Sequence, residues 1–138
     1  EEICPNAFII NFANPAGMVT EAVNKYTNFK KFIGVCNVPI HMRFDLADIL
    51  KVDRDSLEID FVGLNHMVFG LSSRIDGKDS TQMVMDAYKN NEISMNNIET
   101  TPWNPEFLES INLLLCPYHR YFFQYDEMIK KQNKLIYL

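Results

Sequence analysis

Residues 7–12, Ala-Phe-Ile-Ile-Asn-Phe, form an apolar run of strand length, which predicts a strand buried on most sides. Asn14-Pro15-Ala16-Gly17 breaks the run. Asn14 suits a helix N-cap and Pro15 the first helical position. Val19, Ala22, Val23 and Tyr26 follow at helical spacing. Lys31 to Cys36 predicts a second short strand. Pro39 suits the first turn of a helix running through Leu46, Ile49 and Leu50. Strand, helix, strand, helix over residues 7–50 is the rhythm of an α/β fold.

The second half has a different pattern. Ser56 to Val62 alternates, with Leu57, Ile59 and Phe61 on one face, as in a half-buried strand. Met67 to Ile75 predicts a second strand, and Asp76-Gly77 a turn. Residues 79–91 have helical spacing and precede an asparagine-rich loop. Asn104-Pro105 opens a helix predicted to run through Leu114. Cys116-Pro117-Tyr118 breaks it, and a last helix is expected over residues 119–132.

Composition narrows the class. The 138 residues suit a single domain's worth of core, and 22% charged residues is ordinary for a globular chain. No apolar run approaches the roughly 18 residues of a membrane span, and no signal peptide is visible. The net charge is −5 and the basic residues are scattered, which argues against nucleic acid as a partner. Three widely spaced cysteines, Cys4, Cys36 and Cys116, argue against a disulfide framework and for a reducing, cytoplasmic setting. The five glycines form no GxGxxG. An α/β chain that begins on a strand without that turn reads as the later part of something longer.

The residues alone leave each candidate site open. Cys36 at a strand end and His66 near a second strand could be two ligands of an open metal site. Equally, Cys36 is the kind of small hydrophobe that fills cores, and two ligands without a third are no zinc signature. In Tyr118-His119-Arg120-Tyr121-Phe122-Phe123, helix packing is the expectation for Phe122 and Phe123. A tyrosine there could serve as a base only with a cation nearby, since a free phenol titrates near 10. The segment from Asn11 to Gly17 sits where open α/β sheets bind ligands, although an asparagine there also reads as a helix cap. Asp45 and Asp60 are expected on solvated faces.

Four segments in one order, "IINFANPAGMVTEAV", "IGVCNVP", "IDFVGLNHMVFG" and "CPYHRYFFQYDEM", resemble glycoside hydrolase family 4, the NAD- and divalent-metal-dependent glycosidases. The likeness runs over roughly residues 4–130 and is strongest toward the 6-phospho-β-glucosidases. It implies the end of a Rossmann-like NAD-binding domain over residues 1–50. Residues 51–138 would begin an α+β catalytic domain of the lactate/malate dehydrogenase-like C-terminal type. The implied reaction converts 6-phospho-β-D-glucosides, such as a phosphorylated disaccharide, to glucose 6-phosphate and an aglycone. It proceeds by oxidation at C3, loss of the C2 proton, elimination at C1, addition of water and re-reduction.

The resemblance assigns roles residue by residue. Cys36 and His66 match the metal ligands, for Mn²⁺ or a competing divalent ion, with sugar oxygens completing the shell. Tyr118 matches the base, with Tyr121 close enough to compete for the role. Asn14 matches a substrate contact. Asn37 stands where the α-specific relatives carry an aspartate, and an asparagine there points to the β-specific branch. No residue is assigned to NAD. The glycine-rich turn and the arginine that grips the sugar phosphate have no counterpart in this chain, Arg43 and Arg120 are assigned no phosphate role, and His41 replaces a family glycine. The resemblance further implies a homo-oligomeric full-length enzyme and an inactive isolated fragment. The rival readings are a non-catalytic binding or assembly module retaining the fold, and a 2-hydroxy-acid dehydrogenase-like oxidoreductase.

Overall fold

The computed structural model describes residues 3–91, 93, 95, 98 and 101–136, the last five as backbone only. Two compact units divide between Asn37 and Val38.

The first unit is a β-α-β crossover. Strands β1 (Ile9–Asn11) and β2 (Phe32–Gly34) pair in parallel, in register Ile9↔Phe32 to Asn11↔Gly34, and helix α1 (Ala16–Tyr26) connects them. Parallel strands need such a crossover, so the predicted rhythm and the topology agree. Gly34 lets α1 approach β2: a Cβ there would stand 3.0 Å from the Ala16 carbonyl oxygen. Two expectations fail. Pro15, not Asn14, is the N-cap; its backbone is extended, and its carbonyl accepts the Val19 amide at 3.1 Å. Asn14 makes no capping bond. Strand β1 is also not buried: Phe8, Ile10 and Phe12 are exposed, because among the described residues β1 pairs only with β2.

The second unit begins with helix α2 (Val38–Leu50), whose Val38, Met42, Leu46 and Ala47 are buried. It packs on β3 (Leu57–Leu64) and on α3 (Thr81–Asn90). Strands β3 and β4 (Met67–Ile75) form a long antiparallel hairpin with a bulge, where Leu71 is the extra residue between Gly70 and Ser72. Asp76 and Gly77 both take positive φ and turn β4 into the short strand β5 (Lys78–Asp79).

Helix α4 (Pro105–Ile111) opens as predicted, with Asn104 Oδ1 accepting the Phe107 amide at 3.2 Å. It stops short of Leu114. Asn112 turns left-handed and closes the helix, and Leu114–Leu115 becomes β6, antiparallel to β4 at Phe69↔Leu115. The leucines satisfy a sheet edge rather than a helix face. A 3₁₀ turn (Pro117–His119) then leads into α5 (Arg120–Phe123) and α6 (Tyr125–Ile136). The single expected helix is thus interrupted at Gln124, whose backbone is not helical.

The core gathers Leu57, Val84, Leu115, Met128 and α2's inner face. Arg120 is buried too. Its Nε donates to the Thr101 carbonyl at 2.8 Å and its guanidinium lies 4.8 Å from the Trp103 ring centroid. Phe122 is 67% exposed and Phe123 38%, against the expectation of core packing, since Arg120 holds the inward position of that single turn.

Candidate functional site

Three predicted residues gather at one edge of the first unit. Asn14 lies three residues beyond β1, and Cys36 and Asn37 lie two and three beyond β2. These are the C-terminal ends of parallel strands, where α/β sheets bind ligands. The backbone ties the two ends together, with the Val35 amide donating to the Asn11 carbonyl at 2.9 Å. Asn11 shapes the turn before Asn14: its Oδ1 accepts the Ala13 amide and its Nδ2 donates to the Ala13 carbonyl, both at 3.2 Å. Cys36 is a half-buried free thiol and Asn14 is exposed.

The other predicted residues meet in the second unit. His66 sits at the tip of the β3–β4 hairpin, between the paired Leu64 and Met67, in the left-handed region at φ 64°. Its ring stacks on Tyr118, centroids 3.8 Å apart and planes 10° from parallel. Tyr121 lies 6.4 Å from Tyr118 ring to ring, so it neighbours the stack without joining it. The sheet explains the meeting. The register Phe69↔Leu115, continued along both strands, sets position 118 level with position 66. Pro117 cannot donate to the ladder, and the chain turns there, leaving the Tyr118 ring against His66 rather than paired beside it.

Cys36 belongs to the first unit and His66 to the second. Among the described residues neither the Cys36 thiol nor the His66 ring nitrogens have a hydrogen-bond partner, so both are free to ligate. No group of three or more His, Cys, Asp or Glu able to hold a metal occurs among the described residues. A thiol and an imidazole are each donor types that ligate divalent metals, and the described residues form no closed structural site. No GxGxxG exists in the chain to seat a dinucleotide pyrophosphate.

Two buried residues behind the stack escaped the sequence pattern. Cys116, 0% exposed, directs its Sγ to the His66 carbonyl oxygen at 3.1 Å. His119, also fully buried, packs against Phe69 at 4.4 Å, and neither ring nitrogen has a hydrogen-bond partner. Burial pushes its imidazole below the ordinary value, opposed by the Cys116 carbonyl. The β4–β6 pairing, invisible to periodicity in so short a strand, is what places them there.

The charged groups elsewhere have structural partners. Asp60 and Glu58 hold Arg74, at 2.8 Å and 3.0 Å. Arg74 and the Ser72 hydroxyl bring the Asp60 carboxyl down to about 2. Asp60 is exposed as expected, whereas Asp45 is half-buried and burial raises its carboxyl, against the expectation of a solvated face. His41 is exposed on α2 and opposes that rise by its charge. A cleft of about 490 Å³ between Ile3, Cys4, Ala7, Val23 and Phe29 holds none of the predicted site residues. Its apolar walls suit no phosphorylated sugar.

Residues 1–52 match the model of the family 4 glycosyl hydrolases, and residues 61–137 match that family's C-terminal domain. A probable 6-phospho-β-glucosidase of Bacillus subtilis is 48% identical over 96% of this chain, and the 6-phospho-β-glucosidase of Escherichia coli 47% identical over 94%. The chain spans 30% of the length of each. A structure of the 6-phospho-β-glucosidase from Thermotoga maritima with manganese, NAD⁺ and glucose-6-phosphate has a TM-score of 0.73 at 34% identity. It is matched over 91% of this chain and 29% of that one. The chain accordingly holds the end of a Rossmann-like domain followed by part of an α+β domain. The chain belongs to glycosyl hydrolase family 4.

Proposed function

We propose that this chain is the central part of a 6-phospho-β-glucosidase that hydrolyses 6-phospho-β-D-glucosides to glucose 6-phosphate and an aglycone. In that reading residues 1–50 close the NAD-binding domain and residues 51–138 open the catalytic domain. The observation that carries it is the His66–Tyr118 stack, which joins two motif residues far apart in sequence. The names of the relatives, and the manganese, NAD⁺ and glucose-6-phosphate held by the Thermotoga maritima enzyme, support it.

Cys36 Sγ and a ring nitrogen of His66 would hold Mn²⁺. Bound NAD would supply a reversible hydride acceptor and bound Mn²⁺ a Lewis acid at the sugar's C2 and C3 oxygens. Tyr118 removes the C2 proton through its phenolic oxygen, and the stack on His66 fixes the direction of approach. Asn14 and Asn37 contact the sugar; Asn37 cannot titrate, so it cannot protonate a leaving group as an aspartate would. A homo-oligomer working in the cytoplasm completes the proposal.

The test is turnover of a chromogenic 6-phospho-β-glucoside by the full-length enzyme with NAD⁺ and Mn²⁺. Activity is expected to require both additions and to spare the α anomer. Tyr118→Phe should lower kcat by about 10²–10⁴-fold. Equal cleavage of both anomers, or indifference to NAD⁺, overturns the reading. Measurable turnover by the isolated 138 residues overturns the fragment assignment.

A further inference from the structure

His66 occupies a conformation that non-glycine residues adopt only with support from their surroundings. The hairpin tip supplies little of it. Leu64 is 78% exposed and Asn65 is exposed as well. The support comes instead from the segment after β6, where the buried Cys116 thiol meets the His66 carbonyl at 3.1 Å and the Tyr118 ring meets the His66 ring at 3.8 Å. One short segment therefore grips His66 twice, once on its backbone and once on its side chain.

We propose that Cys116 is a positioning residue: its thiol, donating to the His66 carbonyl, holds the hairpin tip so that the imidazole stays stacked on Tyr118 and presents a ring nitrogen in a fixed direction. The consequence for metal binding rests on the reading of His66 as a ligand; the consequence for the stack does not. Groups that orient a metal ligand typically change metal affinity about 10–100-fold when removed.

The experiment follows the imidazole C–H proton resonances of the chain, which has three histidines. His66 is assigned by His66→Asn. Stacking should shift its signals upfield, and Tyr118→Leu should abolish that shift. Cys116→Ala, which removes the donor, should move the His66 signals toward the unstructured value. Cys116→Ser, which keeps a donor, should leave them near wild type. Cys116→Val replaces the alanine variant if that one does not fold, as judged by circular dichroism. Unchanged His66 signals on loss of the donor overturn the proposal. So does an equal displacement in the serine and alanine variants, which would make Cys116 a packing residue only.

Mn²⁺ titration adds the second readout. Paramagnetic broadening of the His66 signals should need about 10-fold more Mn²⁺ in Cys116→Ala. If Mn²⁺ leaves the wild-type His66 signals sharp, the ligand reading fails, while the ring shifts still decide what Cys116 does.

Discussion

His119 is the residue whose chemistry most constrains the fold. It packs against Phe69 and Phe123, and burial lowers its imidazole from the ordinary value of 6.5. In the unfolded chain it takes up a proton near 6.5, so below that pH the unfolded state binds more protons than the folded one. Its contribution to stability is complete above 6.5 and is lost as pH falls from there through the folded value. Asp60 acts in a separate window: its carboxyl, lowered from 3.8 to about 2, contributes above 3.8 and loses that contribution as pH falls toward 2. Denaturant midpoints measured between pH 7 and 2 should therefore decline in two stages. His119→Phe should flatten the upper stage and leave the lower one. A slope near pH 6 that survives His119→Phe would assign it to another group.

At the level of elements, Asn104 is a case where local chemistry and structure agree. Its side chain caps α4 with Pro105 beside it, and Asn104→Ala should lower stability by about 1 kcal/mol in urea denaturation, with Asn104→Asp nearly neutral. Signals of this kind, a cap, a turn dipeptide, an alternating strand, were readable in the sequence because each acts within a few residues. The hairpin β3–β4 and the crossover β1–α1–β2 follow from them. The elements that periodicity missed have a common cause. Leu114 and Leu115 have the same polarity in a helix as in a strand, and only the free edge of β4 decides between them. Asn14 loses the cap to Pro15 because the Pro15 carbonyl starts the helical ladder. The candidate site divides the same way. Cys36, His66 and a tyrosine of the 118–123 run were open candidates from the residues alone and took definite roles through family resemblance, whereas the places of Cys116 and His119 follow from the β6 register.

On the scale of the whole molecule the two units differ in what they bury. Of the buried apolar side chains among the described residues, Ala16 alone lies in residues 1–37. Phe8, Ile10, Phe12, Met18 and Ile33 there stay exposed, leaving a broad apolar surface. Residues 38–138 hold the rest of the core. Limited digestion with thermolysin should cut first within residues 1–37 and leave a resistant product starting near Val38; simultaneous loss of both units would show that they fold as one. Trp103, the chain's single tryptophan, is packed by Arg120 and Phe107, both in the second unit. Its emission therefore reports the folding of residues 38–138, while the helical signal of α1 reports in the far ultraviolet. A melting curve drawn from fluorescence would look like a single clean transition in a chain that is losing its order in two.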